Sequence, residues 1–340
     1  MYPYKTECCI LPGKRIMRSA NIPVAVALLV LAAIVSPLVG QENNSQPAVW
    51  MGPPSYDNAR CFRELFENPD GWKETCSVID VLQFTDHQLD RQFTDEELGK
   101  WFRQLQQWQV KFALEVGAVK PWGQTGAKTF EAQKPKWERF RRLGASIYAV
   151  ALDEPLLCCR KHINRSDDYA LEETADFIAR VRRQYPDMLV GDIETFPSIP
   201  LEDHYWWIEA LEKRLTEKGV RRLDFYRLDV NWANFIVQDT GCWGDVRKLE
   251  EFCRKRKLPF SLIYWASEQP ALKRLGLADD STWYVSIMQQ GYNYAMVRGR
   301  PDQYVIQSWL ELPSKSTPDS GQWTFTRSVL DFTRKFVRRD

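Results

Sequence analysis

Histidine is nearly missing from this chain. His87, His162 and His204 are the only three among 340 residues. No Cys-x-x-Cys pair occurs either. A zinc site draws on imidazole or thiolate ligands at regular spacing, so none is expected here. No residues stand in Ser-His-Asp order for nucleophilic hydrolysis. The first apolar run reads "WMGPPSYDNAR" and lacks the glycine-rich phosphate loop of a dinucleotide fold. An excess of one charge is missing as well. Lys and Arg number 46, Asp and Glu 45, for a formal net charge of +1. That balance gives no footprint for nucleic acid or for an anionic membrane surface. No linker or low-complexity tract follows residue 46.

The first forty residues differ in texture from the rest. Lys14, Arg15 and Arg18 precede an apolar stretch from Ile22 to Val39, which breaks at Ser36-Pro37. Gly40 then leads into the polar "QENNSQPA". Basic, apolar, small residue, polar start is the order of a secretory signal. The stretch is also near the lower length limit for crossing a bilayer. Residues 1–40 therefore read as a signal peptide or a membrane anchor, with Met17 a second candidate initiator. The mature chain is expected outside the cytoplasm, secreted or periplasmic, with anchoring through residues 22–39 as the alternative. Beyond the leader six cysteines remain, an even number that permits disulfides in an exported chain. Cys61–Cys76 and Cys242–Cys253 are the local pairs. Buried thiols acting as small apolar side chains are the other reading.

Residues 46–340 alternate between two patterns. Eight short runs rich in β-branched and aromatic residues read as strands: 48–54, 77–84, 110–118, 146–155, 188–196, 222–232, 260–267 and 304–312. Longer amphipathic runs follow them. Thr94 with Glu97 three residues later makes a capping box, and Leu98, Trp101, Phe102 and Leu105 then share one helical face. Leu171, Ala175, Ile178 and Val181 do the same further on, and Gly219 ends another helix. Near-continuous apolar strands alternating with helices indicate a covered parallel sheet. Eight repeats fit a single (β/α)8 barrel better than a doubly wound sheet.

In such a barrel the strand C-termini form the functional mouth. Acids gather there: Glu115 on the third strand, Asp153-Glu154 ending the fourth, Asp192 and Glu194 on the fifth. Asp229 with Asn231 end the sixth, Glu268 follows the seventh, and Glu311 sits at the end of the eighth. Any one of them could be a helix cap or a solvated loop charge. The run of consecutive strand ends is what points to a site. Tryptophans share the pattern at Trp50, Trp122, Trp232, Trp265 and Trp309. An indole offers an apolar face with a polar edge, which suits sugar rings, though such rings also plug barrels as ordinary core. Trp101, Trp108, Trp137, Trp206 and Trp207 fall in helices and read as core.

Glu154-Pro155 at the end of the fourth strand resembles the Asn-Glu-Pro signature of clan A glycoside hydrolases, retaining (β/α)8 enzymes. The resemblance implies that Glu154 is the general acid/base and that Glu268, in "IYWASEQP", is the nucleophile. Asp153 stands where that clan has asparagine. Asp153, Glu115, Glu194, Asp229, Asn231, Glu311 and the five tryptophans would then bind an oligo- or polysaccharide, with no cofactor and no metal. Glu194, Asp229 and Glu311 are substitutes for the nucleophile. Two other readings stay open. One is a carbohydrate-binding barrel without catalysis. The other is a hydrolase using an oxygen-ligated magnesium or calcium ion. The leader carries its own expectation: the exported chain is cut near Gly40. N-terminal sequencing of the mature protein checks this, and a start that retains residues 22–39 overturns it.

Overall fold

The computed structural model describes residues 46–56 and 58–338. The leader, with Cys8 and Cys9, lies outside them. The strands are β1 Ala48–Gly52, β2 Val81–Thr85, β3 Lys111–Val116, β4 Ile147–Asp153, β5 Leu189–Phe196, β6 Phe225–Val230, β7 Phe260–Tyr264 and β8 Gln303–Gln307. Each pairs in parallel with the next, and β8 returns to β1 with Ala48 opposite Gln303 and Gly52 opposite Gln307. This is the closed (β/α)8 barrel that the eightfold alternation predicts.

Helices wrap it in chain order. They begin with α1 Arg60–Glu67, α2 Lys73–Val78, α3 Asp86–Gln92, α4 Asp95–Gln107 and α5 Gly126–Arg142. Next come α6 Pro155–Cys158, α7 Asp167–Gln184, α8 Leu201–Glu217 and α9 Ala233–Val237. The set ends with α10 Trp243–Lys255, α11 Gln269–Arg274, α12 Asp280–Met296 and α13 Phe325–Phe332. The Thr94–Glu97 capping box is present at the start of α4. Gly219 takes φ +68° just past α8, the left-handed position glycine adopts without penalty.

Several boundaries differ from the sequence reading. Ser77 and Val78 belong to α2 rather than to β2. Strand β8 stops at Gln307, so the residues after it leave the ladder. No helix among the described residues is long and apolar enough to cross a membrane. Neither expected cysteine pair is bonded. Cys61 turns its thiol to the Pro313 carbonyl, 3.6 Å away. Cys253 is buried in the helix–strand core, while exposed Cys242 donates to Asp245.

Side chains alternate between two separate cores, as strand geometry requires. Outward residues such as Met51, Leu114, Leu152, Val190, Leu228, Leu262 and Ile306 pack under the helices. Trp101, Trp137 and Trp207 are buried in that layer, but Trp206 is largely exposed. Inward residues Trp50, Val81, Ala113, Ala149, Ala151, Ile193, Phe225, Ile263 and Val305 fill the barrel. Small residues on β3 and β4 make room for the rings of Trp50 and Phe225, whose centroids lie 5.5 Å apart. Gly191 serves the same end. A Cβ there would run into the Phe225 ring. Gly191→Ala should therefore destabilise the barrel by about 1–3 kcal/mol. Pairing it with Phe225→Leu should restore part of the loss. Denaturant unfolding checks both, and an additive double variant overturns the steric account.

Candidate active site

Inward residues near the strand C-termini line a cavity of about 990 Å³. Strand alternation decides who reaches it. On β4, Ala149 and Ala151 face in, so Asp153 does too. An extended Glu154 would then point away. Instead Glu154 has φ 48° and ψ 54°, a left-handed backbone that an L-residue with a long side chain rarely adopts. That twist turns the second acid into the cavity beside the first, and both line it. Pro155 opens the single turn of α6, where its missing N–H is no loss.

Glu194 holds this corner from behind. It lies on the outward side of β5, fully buried, and accepts hydrogen bonds from the backbone N–H groups of Leu156 (2.6 Å) and Leu157 (3.2 Å). Those are donors at the start of α6 that the helix itself leaves without partners. Asp192, also outward, accepts from the Trp207 indole at 2.6 Å. Burial raises the pKa of both acids, Asp192 to about 8.

Asp153 pairs with Lys120 at 2.6 Å. Burial would lower the Lys120 pKa, but Asp153 prevails and raises it. Glu115 accepts from Gln307 at 2.7 Å and from Gln83 at 3.1 Å. Beneath them lies Arg227, wholly enclosed. Its guanidinium donates to Ser261 at 2.9 Å and to Gln83, and it sits 4.4 Å from the Trp50 ring centroid. Burial, then Asp153, lifts the Glu115 carboxyl to about 7. Burial and Asp153 also lift Glu154 to about 7. Burial, followed by the charge of Glu154, raises Asp229 well above the carboxylate range.

The aromatic wall is formed by Trp265 and Trp309, with centroids 4.4 Å apart, and exposed Trp122 stands opposite the strand ends on the loop after β3. Gln290 fixes this wall by donating to the Trp265 carbonyl at 2.6 Å. Two buried polar atoms here, Thr195 Oγ1 and Asn231 Oδ1, have no hydrogen-bond partner among the described residues, and both residues line the cavity. Leaving such an atom unpaired costs about 1–3 kcal/mol. The Trp265 indole faces Asp229 and favours its charged form, against the larger effect of burial. No group of three His, Cys, Asp or Glu side chains among the described residues is arranged to hold a metal ion.

The structure thus brings Glu115, Asp153, Glu154, Asp229, Asn231, Trp122, Trp265 and Trp309 together. The other expected residues lie elsewhere. Trp50 faces inward but in a lower layer, opposite Val81 and Val305, under Arg227. Glu194 faces the helices because Ile193 and Thr195 take the inward positions of β5. Glu268 sits three residues past Trp265, at the start of α11 against Ser286 and Trp232, outside the cavity lining. Trp232 packs on the outer core. Glu311 lies beyond the end of β8 and forms an exposed ion pair with Lys273 at 2.7 Å. Sequence reasoning missed Gln83, Gln307, Arg227, Thr195 and Lys120. Polar residues inside apolar strands were the available signal for the first four. Lys120, on a loop, carried none.

No protein-family model matches the chain, and no curated protein matches it. Some solved structures are similar in shape. A xylose isomerase domain-containing protein from Salmonella typhimurium shares 10% identity over 85% of this chain and 95% of its own, with a TM-score of 0.47. An aldo/keto reductase from Klebsiella pneumoniae shares 14% over 85% of each chain, with a TM-score of 0.46. A 3-hexulose-6-phosphate synthase from Salmonella typhimurium shares 11% over 84% of this chain and 97% of its own, at 0.44. At such identities no chemistry is carried across.

The raised carboxyls have a consequence for stability. Glu115 ordinarily titrates near 4.5 and here near 7. Between those values the folded chain binds its proton and the unfolded chain does not. The group's contribution is present at low pH and is lost as pH rises through 7. Unfolding free energy should fall from pH 5 to pH 8, with Glu115 alone supplying up to about 3 kcal/mol. Glu115→Gln should flatten that part of the profile. Urea unfolding at several pH values checks this; an unchanged slope in the variant overturns it.

Proposed function

We propose that this protein is a glycoside hydrolase, exported from the cytoplasm, in which Glu154 is the general acid and Asp229 the partner carboxylate. One observation carries the reading. Glu154 and Asp229 share one aromatic-walled cavity, and the charge of Glu154 bears on Asp229. Glycosidic cleavage needs one carboxyl that donates a proton and one that attacks or activates water. Burial and neighbouring acids raise both Glu154 and Asp229, so the two share a proton near neutrality; with that proton on Glu154 for the leaving group, Asp229 is the ionised partner. Asp229, inward on β6 and lining the same cavity, takes the part expected of Glu268, which is not among the lining residues. Trp265 and Trp309 would stack on a sugar ring. Glu115 and Asp153 hold the proton on Glu154 through their charge.

The chemistry tests itself by leaving group. Glu154→Gln should slow cleavage of natural glycans by about 10²–10⁴-fold, the worth of general acid catalysis. Aryl glycosides with good leaving groups should keep much of their turnover, since their departure needs no proton. Asp229→Asn should stop both. Activity on glycans should decline as pH rises above about 7, where Glu154 loses its proton. Full glycan turnover by Glu154→Gln overturns the assignment. Glycan binding that quenches tryptophan fluorescence without any cleavage replaces it with a binding-only barrel.

A further inference from the structure

We infer that the glycan this cavity accepts is anionic, with a carboxylate or sulfate group seated against Arg91 and Lys136. This rests on the saccharide reading above and adds the charge of the substrate. The cavity is electrically lopsided. Four of its acids, Glu115, Asp153, Glu154 and Asp229, lie on β3, on β6 or at the end of β4, and a fifth, Asp86, opens α3. Its other wall is made by α3 and α5 and carries His87, Arg91 and Lys136.

The cations on that wall are poorly neutralised. Lys120 is fully engaged by Asp153 at 2.6 Å. Lys136 approaches its only ion-pair partner, Asp86, at 3.6 Å, too long for a hydrogen bond. Asp86 is turned instead toward the Trp137 indole at 3.2 Å, and its burial favours the neutral acid. Arg91 makes no ion pair among the described residues. It lies on the last turn of α3, where the helix end gives it only a weak partner. Burial first, then the charges of Lys136 and Arg91, depress the His87 pKa against the opposing charge of Asp153. Arg91 and Lys136 stand against open cavity with one acid, Asp86, beside Lys136, an excess of positive charge that complements an anion. Guanidinium suits a planar carboxylate or a sulfate equally through paired N–H donors.

A glycan array that pairs each carboxylated or sulfated glycan with its neutral counterpart tests this on the full chain. At low salt, at least one acidic member should bind tenfold or more tighter than its neutral partner, and the ratio should shrink toward unity at high salt. The carboxylated and sulfated arms separate the two sources of charge. In the Arg91→Ala/Lys136→Ala variant the ratio should fall to near one. Arg91 is exposed and makes no ion pair, so Arg91→Glu alone is a second variant that leaves the fold intact; it should reverse the preference. Equal binding of acidic and neutral members by the native chain, a ratio unmoved by the substitutions, or no binding at all overturns the inference. Cleavage of neutral glycans without an acidic preference defeats this inference but not the glycosidase. Arg91-dependent binding of acidic glycans with no cleavage defeats the glycosidase but not this inference.

Discussion

A single enclosed cation organises the interior of this barrel. Arg227 has no carboxylate at contact distance, and burial pulls its pKa down to about 9. Removing a charge from water without a partner is among the largest penalties a fold can carry. Here the penalty is met by dispersed means. Ser261, Gln83 and Gln303 accept from the guanidinium, and the faces of Trp50 and Phe225 cover it. Gln83 then passes its own amide to Glu115 and Gln307. The floor of the cavity is therefore one connected hydrogen-bond network, fixed from the barrel's centre outward. Such a network is stable only when every member is satisfied.

Above that floor the pattern inverts. The mouth holds acids close enough to raise one another's pKa, and polar atoms without partners. Unpaired atoms of this kind also occur in the helical layer, at Thr174 and Trp283, but at the mouth they gather with raised acids in one cavity. Outer supports hold them in place. Glu194 grips the corner below Glu154, Gln290 holds the Trp265 backbone, and Lys120 fixes Asp153. None of these three needs to touch a ligand to matter.

The fold was readable because each strand is an apolar run bounded by turn residues, and each main helix carries a 3.6-residue stripe. Glu154 was readable because Pro155 marks where β4 must end. What sequence could not settle was facing. Ile193 and Glu194 are neighbours with opposite orientations, and nothing local says which one faces the mouth. The run "YVIQSWLEL" looks unbroken, yet the ladder stops at Gln307 and carries Glu311 out to solvent. For the cysteines, spacing along the chain said nothing about direction. Trp50 was misjudged in depth rather than in facing, since register with Val305 sets its layer.

The left-handed backbone at residue 154 also bears on how such a chain can change over generations. A side chain other than glycine or asparagine in that conformation destabilises the fold by roughly 1 kcal/mol. Glycine would relieve this at once, and asparagine nearly so. A lineage released from any need for the carboxylate would gain stability by a one-residue change and would drift toward it. Glutamate at this corner is thus a standing thermodynamic cost, of the kind that Gln109, Lys257 and Arg298 carry at other left-handed positions of this chain.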